Sequence, residues 1–196
     1  MLTKFIDYLA QKPVILDFLR RVLENNHQGE KKVITVELPN RESLRVLDLG
    51  CGTGVFSPLF GRDYVGVDIS KKYIEYARSH YDKKFYVMDA KKLDFPDDYF
   101  DIIWVNGVLH HLDDASVRLI LREMKRVLKL NGRAVIMEDV PAKKLISKFI
   151  RSLDVGDYIR APQAYKELFS EQFNIKKQYP LRTGVCDYES FVLTLT

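Results

Sequence analysis

Three glycines at alternate positions, Gly50, Gly52 and Gly54, follow a run of apolar residues that carries Asp48 near its end. The run from Arg45 reads as a buried parallel strand. Beyond the glycines, Val55, Phe56, Leu59 and Phe60 have helical spacing. Glycines at such a strand-to-helix turn let the backbone lie against a ligand with no side chain between them. The N–H groups at the start of a helix point into the same space. The dinucleotide fingerprint has glycine at its first, third and sixth positions; here the sixth position is Val55 and the glycine falls one place earlier. Asp48, two residues before the first glycine, repels a pyrophosphate and suits a cationic group.

Further polar residues close later apolar runs. Asp68 ends Tyr64–Ile69, Asp89 ends the run from Phe85, and Asn106 ends the run from Phe100. Open parallel sheets bind ligands outside the carboxyl ends of their strands. An acid that closes an apolar strand is costly to bury unsatisfied, so Asp48, Asp68, Asp89 and Asn106 form a series along one sheet edge. A carboxylate at Asp68 can accept both hydroxyls of a ribose; the competing reading is a cap for the helix starting near Ser70. His110 and His111 follow the fourth run, and a histidine there could act as a base near neutral pH.

The elements that must position these residues alternate between strand and helix from residue 45 onward. Strands are expected at 45–49, 64–69, 85–89, 100–106 and 133–138, with a helix from Ser70. Asp113 and Asp114 are suitable N-caps for a helix whose stripe is Val117, Ile120, Leu121, Met124, Val127 and Leu128. Asn131-Gly132 is expected to end that helix in a left-handed cap. Such alternation implies a parallel sheet covered on both faces. A helix over Pro162 to Glu171 precedes two strands, Phe173–Tyr179 and Ser190–Leu195, joined by Pro180–Glu189 as an antiparallel hairpin. One or two amphipathic helices are expected in residues 5–23, an extra strand over Val33–Leu38, and a basic amphipathic helix over Lys143–Leu153 that packs on the sheet, caps the acceptor pocket or touches an anionic membrane surface.

With these motifs in order over residues 45–139, the chain resembles the class I S-adenosylmethionine-dependent methyltransferases. The resemblance implies an α/β, Rossmann-like three-layer sandwich with a mostly parallel seven-stranded sheet, an antiparallel C-terminal strand and added N-terminal helices. It implies S-adenosylmethionine as cofactor and S-adenosylhomocysteine as product. Gly50, Cys51, Gly52 and Gly54 would line the methionine end, with Asp48 nearby. Asp68 would take the ribose, Asp89 with the backbone of Ala90 the adenine, and Ile69 and Met88 would wall the purine. Asn106 and Gly107 would flank the sulfonium and amino group. The base-methylating pattern of Asn or Asp, two prolines and an aromatic is absent, since Asn106-Gly107-Val108-Leu109 stands there. Small-molecule methyltransferases match the segment Val108-Leu109-His110-His111-Leu112 better. The expected activity is methyl transfer to oxygen, nitrogen or carbon of a small acceptor. The alternatives are an RNA or protein methyltransferase and a non-catalytic cofactor-binding module. Arg182 and Tyr188, between the last two strands, are expected to help form the acceptor pocket, with Arg182 facing an anionic group.

Composition sets the outer bounds. The 196 residues are 46% hydrophobic and carry a formal charge of +4, which suits one domain, with 1–44 as a helical segment, 45–140 as cofactor-binding core and 141–196 as substrate-side helices and hairpin. Lysine and arginine are spread along the chain, so nucleic acid is not an expected partner. Cys51 and Cys186 are too few for a disulfide framework and have no metal-ligand spacing, so no metal is expected. No signal peptide or membrane span is read, and the expected location is the cytoplasm.

Overall fold

The computed structural model describes residues 13–141 and 158–195. Pro13 opens helix α1 (Pro13–Leu23), where its fixed φ is tolerated and its missing N–H is not needed. Asn25, Asn26 and His27, all at positive φ, turn the chain into α2 (Gln28–Glu37). The strand expected over Val33–Leu38 is thus the second half of a helix. Glu30, Val33, Ile34 and Glu37 are its buried residues, a stripe that fits one helix face, and the weak helix preference of valine and isoleucine costs only roughly 0.5 kcal/mol each.

Strand β1 (Val46–Leu49) is buried throughout. The helix expected after the glycines does not form; Ser57–Leu59 make a single 3-10 turn. Residues 55–63 are too short a stretch for a crossover helix before β2 (Tyr64–Asp68), and Pro58 stands within it. Helix α3 (Lys71–His80) is capped by Ser70, whose hydroxyl accepts from the Tyr73 N–H. Next come β3 (Lys84–Val87) and β4 (Phe100–Asn106). Helix α4 (Asp114–Val127) is capped by Asp113, which accepts the Ser116 N–H at 2.7 Å, and buries Val117, Ile120, Leu121, Met124 and Val127 as expected.

The left-handed cap expected at Asn131-Gly132 is absent. Helix α4 ends at Val127 and an extended Leu128 leads straight into β5 (Leu128–Asp139). Between Leu128 and Arg133 this strand bulges against β4. Gly132 serves close approach there: a Cβ would sit 2.9 Å from the Lys129 carbonyl oxygen and 3.0 Å from that of Asp101. Helix α5 (Pro162–Ser170) precedes β6 (Asn174–Thr183) and β7 (Cys186–Thr194). The connection expected over Pro180–Glu189 is mostly strand, and only Gly184 and Val185 lie between the two. Pro180 is tolerated because β6 is an edge strand. The basic helix expected over Lys143–Leu153 lies outside the described residues.

The seven strands are ordered β3-β2-β1-β4-β5-β7-β6. Strands β1 to β5 pair in parallel, and β7 runs antiparallel to both β5 and β6. This is the Rossmann-like sheet expected from the alternation. Chain order reverses between β1 and β4, and the crevice at such a switch point is where doubly wound sheets bind ligands. One face packs Leu47, Leu49, Ile103 and Val105 under α4 and α5. The other packs Val46, Ile102 and Trp104 with Val33, Ile34, Tyr64, Ile74 and Phe85. No helix among the described residues is long and apolar enough to cross a membrane.

Candidate active site

The glycine turn closes over the carboxyl end of β1. Gly50, Gly52 and Gly54 have φ of +74°, +52° and +78°, a region that side chains rarely adopt. Gly50 and Cys51 both donate their N–H to the Val67 carbonyl, at 2.8 and 2.9 Å. A Cβ on Gly50 would lie 2.4 Å from Val108 Cγ2, and one on Gly54 would lie 2.9 Å from the Phe85 ring. Gly52 differs: nothing lies within 4 Å of its Cβ position. The turn is therefore packed behind Gly50 and Gly54 and open in front of Gly52.

Asp68 joins this turn to the next. Its Oδ2 accepts the Gly52 N–H at 2.9 Å and its Oδ1 the Ser70 N–H at 2.8 Å. A carboxylate has about four lone-pair sites, so acceptor capacity remains beside the open side of Gly52. Burial raises the Asp68 carboxyl, against these two N–H groups. Ile69, next in the chain, is a large apolar side chain that is 72% exposed. Asp89 lies just beyond β3; its Oδ1 accepts the Lys91 N–H at 2.9 Å, and its Oδ2 lies 3.6 Å from the Lys91 ammonium. Met88 donates its N–H to the Asp68 carbonyl at 3.0 Å, and Ala90 is half-buried beside it.

Asp48 and Cys51 point into the core. The Tyr64 hydroxyl donates to Asp48 Oδ2 at 2.6 Å, and burial raises the carboxyl to about 7. The Cys51 sulfur packs 2.9 Å from where a Gly66 Cβ would be, and burial pushes its thiol up. Cys51 therefore meets a ligand at the turn only through its backbone. Asn106 is the opposite case. It is buried at the end of β4, and neither its side-chain nitrogen nor its oxygen has a hydrogen-bond partner. Buried amides are rarely left so. Gly107 follows at φ +67°.

The two histidines occupy the next turn, Leu109–His111. His110 is buried and His111 exposed, with ring centroids 4.0 Å apart. Two residues not expected from the sequence hold this turn. Glu138, fully buried near the end of β5, accepts the Val108 and Leu109 N–H groups on Oε1, at 3.0 and 2.8 Å. Its Oε2 takes the His110 N–H at 3.2 Å and lies 2.9 Å from His110 Nδ1. A carboxylate only accepts, so Nδ1 carries the proton. Arg160, just before α5, donates to the Leu109 and Leu112 carbonyls at 3.0 and 2.6 Å and to Asp114 Oδ1 at 2.7 Å. The sequence does carry a trace of Glu138, which is another acid closing an apolar strand. Arg160 lies in a stretch without periodicity and leaves none.

Arg182 and Tyr188 lie on β6 and β7, on either side of the hairpin turn, and border one cavity of about 410 Å³. Its other walls include Val140, Pro141, Ala161, Pro162 and Leu181. The Tyr188 hydroxyl turns away to Glu24 Oε1 at 3.2 Å. Arg182 Nη1 is 3.5 Å from Asp187 Oδ1, so a carboxylate of the chain already faces its charge. The cavity shares the end of β5 with the histidine turn, since Asp139 Oδ2 lies 3.7 Å from His110 Nδ1 and Val140 follows. Helix α1 reaches the glycine turn from the other side. Asp17 is buried and accepts the Thr53 hydroxyl, while Val14, Phe18 and Val22 are exposed.

A glycine turn at the switch point, a carboxylate bridging it to the next strand and an unbonded amide at the end of β4 lie together at the ligand-binding edge of a doubly wound sheet. The methyltransferase-domain family model matches residues 47–136. Demethylmenaquinone methyltransferase of Thermotoga maritima is 36% identical over 192 residues, covering 87% of this chain and 80% of that protein. The uncharacterized methyltransferase YcgJ of Bacillus subtilis is 37% identical over 125 residues, covering 58% of this chain and 48% of that one. The chain thus spans from about half to four fifths of the length of these relatives. A TehB-like methyltransferase from Corynebacterium glutamicum shares the fold with a TM-score of 0.71 at 20% identity, over 95% of this chain and 98% of that one. The chain belongs to the class I S-adenosylmethionine-dependent methyltransferases.

Proposed function

We propose that the protein transfers a methyl group from S-adenosylmethionine to a small, largely apolar acceptor. The observation that carries this reading is the buried, unbonded amide of Asn106, placed beside Gly107 and the glycine turn whose Gly52 faces open space. A cofactor with an ammonium and a carboxylate supplies both kinds of partner that the amide lacks. Gly50, Gly52 and Gly54 would receive its methionine end, with Asp48 behind them. Asp68 has acceptor capacity for the ribose hydroxyls, Asp89 and the Ala90 N–H would take the adenine, and Ile69 and Met88 would cover the ring. Bound there, S-adenosylmethionine supplies an electrophilic methyl on a sulfonium.

The rest of the task falls to the chain. The cavity walled by Val140, Pro141, Pro162, Leu181 and the Tyr188 ring would orient the acceptor and exclude water. With a proton fixed on His110 Nδ1, its Nε2 is the atom that would take one from an acceptor hydroxyl; His111 is the exposed alternative. The names of several relatives point to the same acceptor class: ubiquinone/menaquinone biosynthesis C-methyltransferase, demethylmenaquinone methyltransferase and 2-methyl-6-phytyl-1,4-hydroquinone methyltransferase. Hydroquinones are therefore the first acceptors to try. The unpaired thiols of Cys51 and Cys186 suit a reducing compartment such as the cytoplasm.

The test has two stages. S-adenosylhomocysteine at about 100 times its dissociation constant adds about 2.7 kcal/mol to the stability of the protein, and Asp68→Ala removes most of that shift. Transfer of labelled methyl is then measured to hydroquinones, to RNA and to protein. No thermal shift with either form of the cofactor refutes the reading. Transfer to RNA alone, with binding that falls steeply with salt, would replace the acceptor.

A further inference from the structure

Behind the Tyr188 wall of the cavity lies a second group of buried ionisable side chains, which the proposed reaction does not use. Glu24, His27 and Glu30 are 4%, 0% and 0% exposed. Their outer oxygens are held from the surrounding elements. Glu24 Oε1 accepts from Arg20 Nε at 2.8 Å and the Tyr188 hydroxyl at 3.2 Å, and Glu30 Oε2 accepts the Thr183 hydroxyl at 2.9 Å. Their inner oxygens converge on one atom. Glu24 Oε2, which also receives Arg20 Nη2 at 3.2 Å, is 2.6 Å from His27 Nδ1. Glu30 Oε1 is 3.9 Å from the same nitrogen and has no hydrogen-bond partner.

We propose that Glu24, His27 and Glu30 form a binding site for a divalent transition-metal ion, with zinc or manganese as the class. Charge is the first argument. Two carboxylates against one guanidinium leave one negative charge in a dry interior, which a proton on His27 or Glu30, or a bound cation, balances. Geometry separates a metal from a proton on His27. A proton on Nδ1 serves Glu24, 2.6 Å away, and leaves Glu30 Oε1 unbonded at full burial. An ion on Nδ1 takes both carboxylate oxygens at once. The three ligand atoms lie within 4.8 Å of one another. Around a tetrahedral ion with bonds of ~2.1 Å, ligand atoms lie ~3.4 Å apart, between the 2.6 and 3.9 Å found here. Loss of the Nδ1 proton relaxes the shorter distance. One imidazole and two carboxylates suit zinc, manganese or ferrous iron. Arg20, Thr183 and Tyr188 hold the carboxylates from outside, the arrangement that orients ligands in metal sites.

The ion would pin the α1–α2 turn to the hairpin. Val185 already donates its N–H to the Leu23 carbonyl at 2.9 Å, and Gly29 its N–H to the Thr183 hydroxyl oxygen at 3.4 Å. The site thus stands independently of the acceptor and of the cofactor.

The full chain is dialysed against a chelator at neutral pH and titrated calorimetrically with zinc chloride and manganese chloride, with magnesium chloride as a hard-cation control. One equivalent of zinc or manganese should bind, with protons released, at least tenfold more tightly than magnesium. Glu30→Gln should weaken that binding tenfold or more. Imidazole nitrogen NMR of the wild-type chain provides a second measure that does not depend on how the variant folds: the His27 Nδ1 proton should vanish on zinc addition. Failure of all three ions to bind below about 1 mM, unchanged binding in Glu30→Gln, or a His27 Nδ1 proton persisting at saturating zinc overturns the proposal.

Discussion

Replacing Glu138 with glutamine keeps the side chain's shape and removes its charge. The native carboxylate serves four donors: the Val108 and Leu109 N–H groups on one oxygen, and the His110 N–H and ring Nδ1 on the other. A glutamine oxygen can keep the first pair. Its amide nitrogen then stands where Oε2 stood and faces the His110 N–H, donor against donor. The imidazole can answer by moving its proton to Nε2, but the backbone N–H cannot. Each hydrogen bond to a charged group contributes about 1.5–3 kcal/mol, and a buried donor left unmatched costs about 1–3 kcal/mol. Relief from burying a charge offsets part of this. A net loss of about 3 kcal/mol follows, which for a chain of this length lowers Tm by about 6–12 °C. Thermal unfolding followed by circular dichroism measures it. Under the role proposed for His110, turnover should fall with the acceptor KM little changed, because the moved proton leaves Nε2 unable to accept another. A Tm drop under about 2 °C with unaltered turnover would refute Glu138 as the positioning residue of the histidine turn.

The glycine turn offers a paired test. Gly50→Ala meets both a left-handed φ and Val108 Cγ2 at 2.4 Å, and should cost more than about 2 kcal/mol in denaturant unfolding. Gly52→Ala has strain but open space, so its loss should stay near 1 kcal/mol while cofactor affinity falls; equal losses would contradict the packing described. Asp48 makes a pH prediction. Its carboxyl is raised to about 7 by burial, against ~3.9 in an unfolded chain. The native state therefore holds the proton more tightly. Stability from this group is full below pH ~4, declines as pH rises to about 7 and is flat above it, by up to about 4 kcal/mol. Asp48→Asn, with an amide oxygen still available to Tyr64, should flatten that decline in cofactor-free protein; parallel Tm profiles at pH 5 and pH 8 would sink the assignment.

The centre of the sheet was legible because buried parallel strands are apolar runs, and β2, β4 and β5 each end in a polar residue, Asp68, Asn106 and Asp139, that breaks the run at the ligand edge. The glycine spacing was legible for a similar reason, since alternate glycines have few uses other than a strained turn. Features set by distant partners were not. Helix α1 has an apolar stripe, yet Asp17 is turned inward to Thr53 while Val14, Phe18 and Val22 face out; no periodicity separates an inward stripe from an outward one. The same limit hid the hairpin. Pro180 and Gly184 read as a loop, but an edge strand accepts proline, and two residues suffice to reverse the chain. Glu24, His27 and Glu30 recur every third residue through a helix end and a left-handed turn, a pattern that matches neither strand nor helix period.

Strand β7 stands between β5 and β6 although it follows both in the chain. During synthesis β5 emerges with a long hydrogen-bonding edge that nothing made so far can cover, and β6 cannot join the sheet until β7 has paired with β5. Residues 186–194 thus complete an inner seam rather than an outer rim. A nascent chain halted before them carries an open edge lined by Val135, Ile136 and Met137, the kind of edge that recruits other chains. Pairing of residues 186–194 with β5 is therefore the step at which this sheet passes from an adhesive surface to a closed one.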